Sequence, residues 1–286
     1  MRTVWLLVAA ILLVGVVGCG EPGPKMGDVR VNPKDGAKMV WVPEGEFTMG
    51  STDEQAAAAL EQWPEYSQEI GEFFLDVQKP QRKVYLVGYW MYKYEVTVAQ
   101  YRKFCEATKK EMPKAPRWSW KDDHPIVNVS WQDAVDYAKW AGVSLPTEAQ
   151  WEKAARGTDG RIYPWGNKWD ASKCASSVET LLKGTQPVRS YTSGASPYGC
   201  MDMAGNVYEW CADWYDPNYY KNAPSRNPKG PSEAVKFTIP QVGDVPGARV
   251  LRGGSWFYLN FLCAYRDYFD PTYRYDFNGF RCARTP

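Results

Sequence analysis

The 286-residue sequence predicts an α+β domain in which much of the chain is irregular. Three observations carry this expectation. Glycine and proline, at 24 and 21 residues, are too frequent for a helix bundle, because both interrupt helices. Apolar residues make up 44% of the chain, with 14 Trp and 19 Tyr among them, and burying that much surface offsets the ordering entropy that keeps polar chains disordered. Apolar periodicity comes in short stretches, some alternating and some with helical spacing.

The elements follow in order. Met39–Val42, Glu46–Met49 and Lys83–Tyr92 run or alternate in apolar residues and read as strands. The alanines at 56–59 predict a short helix inside a surface insertion spanning 51–80. Thr97 caps a helix carrying Val98, Tyr101, Phe104 and Cys105 at three-to-four-residue spacing. Ser130 opens the next, with Asp133 three residues on, Ala134, Tyr137 and Ala138 on one face, and Gly142 as the stop. Thr147 and Gln150 form a capping box before Trp151, Ala154 and Ala155, and Gly157 ends that helix. From Tyr163 onward the chain reads as turns with aromatic anchors. With no second break after Met39, residues 39–286 form one domain, which buries roughly 70–75% of its extended-chain surface.

Upstream of Met39 the sequence reads as an address. Arg2 precedes an apolar run from Val4 to Val17, shorter than the roughly 20 residues of a spanning helix. A basic start, an apolar core and a small-residue exit mark a secretory signal over residues 1–18. The exit, Val16-Val17-Gly18-Cys19, resembles the bacterial lipobox, which implies cleavage before Cys19 and a diacylglycerol on its thiol. Residues 19–38, opening Gly20-Glu21-Pro22-Gly23-Pro24, then form a flexible tether. The expected location is outside the cytoplasm, lipid-anchored to a bacterial membrane. Removing the first eighteen residues takes away only Arg2 among the charges, leaving a formal charge of zero. Such a chain has no basic surplus for nucleic acid. The single histidine excludes a three-histidine metal centre. Export makes Cys105, Cys174, Cys200, Cys211, Cys263 and Cys282 candidates for up to three bridges, with the pairing left open.

Eight strings occur in register from Met39 to Arg281. They include Tyr94-Glu95-Val96-Thr97, His124 to Trp131, Leu145 to Glu152, Tyr163 to Asn167, Gly205-Asn206-Val207-Tyr208-Glu209-Trp210, Arg252-Gly253-Gly254-Ser255-Trp256 and Gly279-Phe280-Arg281. Together they resemble the sulfatase-modifying-factor, or formylglycine-generating-enzyme, family over about residues 39–284. The resemblance implies a single irregular domain of the modified C-type-lectin kind, the FGE-sulfatase fold, with little regular secondary structure.

Enzymes of this family oxidise a sulfatase cysteine to formylglycine with molecular oxygen. Two cysteines five positions apart, shortly after the Arg-Gly-Gly-Ser string, bind copper there. Soft thiolates suit Cu(I), and a second thiol exchanges disulfides with the substrate. This sequence departs from the pattern. Counting forward from Ser255 puts Tyr258 at the first position and Cys263 at the second. Counting back from Ala264-Tyr265-Arg266 aligns Cys263 with a structural cysteine instead. Either way the pair is missing, and copper is not expected. Cys263 remains the one candidate catalytic thiol. The competing expectation is a disulfide between Cys263 and Cys282, closing a loop of ~20 residues for about 3 kcal/mol.

Calcium is the cofactor the resemblance does imply, held by Asp202, the carbonyls of Gly205 and Val207, and Glu209, all hard oxygen ligands. The alternative is that Glu209 caps a turn or pairs with an arginine. The family's other calcium site has an asparagine where this chain has Ala175, so only the first is expected. Among the rest, His124 orders a loop, and Glu148 and Glu152 cap and pair. Arg252, Arg266 and Arg281 either knit the loops or recognise a carboxylate. Trp256, Phe257 and Tyr258, with Arg252 and Arg266, form a candidate binding groove near Tyr265, Tyr268 and Tyr273; their other fate is the core. The expected function is therefore a non-catalytic or altered family member that binds a protein, peptide or glycan. The alternative is an oxygen-dependent formylglycine-generating oxidoreductase acting on sulfatase-type cysteines.

Overall fold

A computed structural model describes residues 23–62, 76–176, 184–239, 243–258 and 261–286; the signal segment and Cys19 lie outside them. Three strands open the domain: β1 (Val29–Val31), β2 (Lys38–Val42) and β3 (Gly45–Met49). After α1 (Asp53–Leu60), the expected 83–92 strand is two, β4 (Arg82–Leu86) and β5 (Tyr89–Tyr92). The break falls at Gly88, where any Cβ would lie 2.3 Å from the Trp41 ring. There the chain leaves its pairing with β3 and begins pairing with β2.

The helices are α2 (Val98–Thr108), α3 (Trp131–Ala141) and α4 (Glu148–Arg156), with a single turn α5 (Tyr219–Asn222). Thr97 with Gln100, Ser130 with Asp133 and Thr147 with Gln150 each form a reciprocal capping box, so two otherwise orphaned N–H groups are satisfied at every start. Gly142 ends α3 in the left-handed conformation at φ 72°, where an L side chain is strained.

A second sheet lies in the half of the chain expected to be turns. It holds β6 (Tyr208–Trp214), β9 (Arg249–Arg252), β10 (Asp267–Phe269) and β11 (Asn278–Gly279) in the order β10-β9-β6-β11. The first four residues of β6 are all buried, so no alternation marks it, and its partners span only two to four residues. A separate hairpin joins β7 (Phe237–Ile239) to β8 (Gly243–Val245), and β12 (Ala283–Arg284) completes the first sheet in the order β1-β2-β5-β12.

The central strands of that first sheet, β2 and β5, are packed on both faces. Met39, Trp41, Trp90, Tyr92 and Cys282 pack with α2 and α3 on one side. Val40, Val42, Tyr89, Met91 and Ala283 pack with α4 and Cys263 on the other.

The tether expected over 19–38 is corrected at its second half. β1 pairs with β2 in register Val29↔Val40, and the turn after it is tied to the core. Asp35 accepts hydrogen bonds from the buried hydroxyls of Tyr92 and Tyr137, both at 2.6 Å. Asn32 donates to Tyr92 Oη and to the Ala141 carbonyl. Polar composition alone reads as linker, but here the polar residues satisfy tyrosines that burial would otherwise strand.

Candidate functional site

The loop that follows β9 is built on a buried ionic frame. Glu148 and Glu152 face inward from successive turns of α4. Arg252 reaches Glu152 at 2.6 Å and Glu148 at 3.4 Å, and also donates to the carbonyls of Cys263, Ala264 and Tyr265. Arg266 takes Glu148 through two nitrogens, and Arg156 takes Glu152 at 2.8 Å. These charges are almost fully buried, so their hydrogen bonds are what makes burial tolerable. The frame corrects one expectation. Arg252 and Arg266 do not line a groove; they fix the 263–266 backbone from inside.

Above the frame, Gly253 (φ 93°) and Gly254 (φ 69°) bend the chain in conformations that favour glycine. Ser255 Oγ then accepts from the backbone N–H groups of Phe257 and Tyr258, which turns both rings outward. Trp256 goes the other way and is buried; its backbone N–H donates to the Asn206 carbonyl and its indole N–H to the Asp276 carbonyl.

The exposed result is an aromatic face. Phe257 is 53% exposed and Tyr258 40%, and Tyr273 and Tyr275 are exposed beside them. Tyr258 meets Phe257 at 5.0 Å and Phe277 at 5.1 Å, while Tyr275 stacks on Phe277 at 4.8 Å. Tyr273 meets Tyr275 at 5.5 Å, so Tyr273, Tyr275 and Phe277 form one row of rings. Arg117 lies over Trp256 at the rim, 5.0 Å from the ring centroid. Of the remaining expected aromatics, Tyr265 is core and Tyr268 is partly buried against Tyr215.

Cys263 is not on this face. Its side chain is fully buried in the cluster with Met91 and Cys211, and burial pushes its thiol up to about 12. A thiol this deeply buried is out of a substrate's reach, so the structure does not bear out Cys263 as an accessible catalytic thiol. The Cys263–Cys282 bridge is not formed either. All six cysteines from Cys105 onward are free and buried. The period-two alternation of β12 explains the separation: Cys282 faces the α2–α3 cluster, and only its neighbour Ala283 faces the side that holds Cys263.

The candidate calcium ligands meet a competitor. Arg281 donates to both carboxylate oxygens of Glu209 at 2.6 Å, and the Trp151 indole donates to one of them at 2.7 Å. Asp202 accepts from the Arg189 backbone N–H, and burial raises its carboxyl to about 6. Among the described residues, no three His, Cys, Asp or Glu side chains are grouped to hold a metal ion. Glu209 is already neutralised by a guanidinium, and the residues present do not fit calcium. The arginine pairing is the alternative that the structure adopts.

Two residues escaped notice as a pair. Glu95 is buried, accepts from Asn206 Nδ2 at 2.9 Å through one oxygen and leaves the other unpartnered. Burial, then the nearby Asp202, pushes its carboxyl well up. Asn206 in turn holds the Trp256 backbone, so the pair supports the aromatic loop from below. Both lie inside the strings Tyr94–Thr97 and Gly205–Trp210, which was the available signal. His124 orders its loop: its carbonyl accepts from the first N–H of α2 and its ring bonds Thr185 Oγ1 at 2.9 Å.

A model of the sulfatase-modifying factor enzyme 1-like domain matches residues 25–286. The formylglycine-generating enzyme of Thermomonospora curvata is 32% identical, over 90% of this chain and 97% of that one. The serine/threonine-protein kinase pkn1 of Chlamydia caviae is 35% identical over 86% of this chain, which spans only 38% of that protein. Among solved structures, PvdO of Pseudomonas aeruginosa superposes with a TM-score of 0.73 at 26% identity, covering 92% of this chain and all of that one. Variable protein 1 of Treponema denticola, at 18% identity and a TM-score of 0.66, shares the fold. Starting at residue 25, the match also includes the strand β1 that composition had assigned to a tether. The chain belongs to the sulfatase-modifying factor enzyme 1-like (FGE-sulfatase) family.

Proposed function

We propose that this family member no longer oxidises sulfatase cysteines and instead binds a protein, peptide or glycan partner, held outside the cytoplasm on a bacterial membrane by lipid on Cys19. The observation that carries the reading is the complete burial of Cys263, while Tyr258, which forward counting from Ser255 aligns with the family's first thiol, stands exposed. Formylglycine formation needs a thiolate that a substrate cysteine can reach. Every cysteine among the described residues is buried. What the loop offers instead is a row of rings, and exposed aromatic surface is the usual source of binding energy in a partner's apolar side chains, prolines or sugar C–H faces. Neither copper nor calcium has a role in this reading.

The test is direct. Mature protein is incubated with Cu(I), oxygen and a Cys-x-Pro-x-Arg peptide, and the peptide is weighed by mass spectrometry. Its mass should be unchanged. Conversion of the cysteine to an aldehyde, captured as a hydrazone, would restore the oxidoreductase reading and sink this one.

A further inference from the structure

We propose that β1 and the turn before it form a membrane-resting face, on which Met26, Val29 and Val31 seat against the lipid surface that anchors Cys19. The proposal rests on the lipid-anchored reading above and adds which surface of the domain meets the bilayer.

Seven large apolar side chains are exposed among the described residues. Four belong to the aromatic face. The other three are Met26 at 58%, Val29 at 52% and Val31 at 57%, all within six residues of sequence. Val29 and Val31 are two apart on the edge strand of the first sheet, so they project to the same side, level with Val40 and Lys38 of β2. Val40 is core, whereas the two valines overhang it. Edge strands ordinarily carry charge or cover, and this one offers valine to its surroundings.

The charges around the patch suit an anionic surface. Lys25 and Lys38 are exposed, Lys38 on the side of the valines; Arg30 and Lys34 turn to the other face, over Trp90 at 4.5 Å and Trp140 at 5.3 Å. Of the two acids in the segment, Asp35 is buried against tyrosine hydroxyls and Asp28 is turned onto the Lys25 backbone N–H. Anionic headgroups attract a cationic rim of this kind, and apolar side chains then enter the interface.

Reach decides which surface can be used. From Cys19 to Met26 the chain spans seven residues, at most ~25 Å when fully extended. That is little more than the ~18 Å radius of gyration expected for a domain of this size. Had residues 19–38 all been tether, any face could have turned to the bilayer. With β1 built into the fold, the domain cannot leave the surface without taking β1 with it, and β1 is the first part of it to arrive.

The experiment uses the full processed chain reconstituted in phosphatidylethanolamine–phosphatidylglycerol vesicles. An environment-sensitive fluorophore is placed on Val29→Cys, on Val31→Cys or, as a reference, on Tyr273→Cys. The described native cysteines are buried and do not compete for label. Lipids spin-labelled on the acyl chain should quench the probes at 29 and 31 at least threefold more than the probe at 273. Equal quenching at all three overturns the proposal. So does a probe at 29 that is shielded without quenching and crosslinks to a second copy, which would make the face a dimer contact. The mass of the N-terminal peptide separates the two readings: a lipidated Cys19 with unquenched probes sinks this proposal alone, and an unmodified Cys19 sinks both.

Discussion

The Glu209→Gln substitution separates an arginine-held site from a calcium-held one. Glu209 accepts three short hydrogen bonds, two from Arg281 and one from Trp151, with essentially no solvent contact. Glutamine keeps the shape but removes the charge, and it turns a donor toward a guanidinium that is itself buried. Arg281 is then left with the carbonyls of Met201, Tyr92 and Lys93 as partners. Breaking a buried pair from one side costs about 3–5 kcal/mol. For a domain this large each kcal/mol lowers Tm by roughly 2–4 °C, so the variant should melt about 6–20 °C below the parent. Calcium behaves differently in the two cases. A cation bound at a hundredfold over its Kd would contribute about 2.7 kcal/mol, and EDTA would remove that from the parent. Here EDTA should move the parent Tm by no more than about 1 °C, measured by differential scanning fluorimetry with and without millimolar calcium. If EDTA destabilises the parent as much as the substitution does, and leaves the variant untouched, Glu209 is holding a cation and the pairing argued here is wrong. The double change Glu209→Leu with Arg281→Met should regain most of the loss, since well-packed apolar replacements of buried pairs are close to neutral.

Two further outcomes follow from buried acids. Burial, with Glu148 beside it, raises the Asp213 carboxyl to about 7. A raised folded pKa favours the protonated form, so this contribution is full below about pH 4 and is lost as pH rises through 7. Three units correspond to about 4 kcal/mol at most, and Asp213→Asn should therefore gain on the parent by about 5 °C or more in Tm between pH 5 and pH 8; parallel curves would refute the assignment. Asp35→Ala leaves the O–H donors of buried Tyr92 and Tyr137 without their acceptor, a loss of roughly 3 kcal/mol in a urea titration. A loss below about 0.5 kcal/mol would mean that the chain before Met39 is a tether after all.

The sequence disclosed the elements whose signals are local. Thr97, Ser130 and Thr147 begin helices because each capping box is complete within four residues, and Gly142 ends one because only its φ requires glycine. The second sheet was not legible, because its strands are short and β6 is buried on both faces, which removes the alternation that marks a strand. The site divided along the same line. That Arg281 would consume Glu209 is a contact across 72 positions, and no local pattern reports it. Whether Cys263 reaches Cys282 depended on which side of the first sheet each faces. Strand register decides that, and register is invisible until the partner strand is known. Asp35 was hidden for a related reason: the hydroxyls that donate to it, those of Tyr92 and Tyr137, lie far along the chain.

The arrangement also explains how the family strings can stay intact whatever stands in the loop after Ser255. Arg252, Arg281, Glu148, Glu152 and Glu209 all lie within those strings, and all are buried in pairs whose one-sided loss is costly. Selection for folding alone is enough to keep them. Tyr258 is different: its backbone is fixed by Ser255, and its ring meets Phe257, Phe277 and Tyr208 at the surface. Only Tyr208 of these partners belongs to the core, so a change at 258 should leave the scaffold standing and alter chiefly the surface. The strings therefore report the fold; position 258 lies outside them at the surface, whereas Cys263 is part of the buried core. A relative sharing a third of its residues with a formylglycine-generating enzyme is expected to share its architecture. Its chemistry has to be read from the residues after Ser255, where this chain turns Phe257 and Tyr258 outward and buries Cys263.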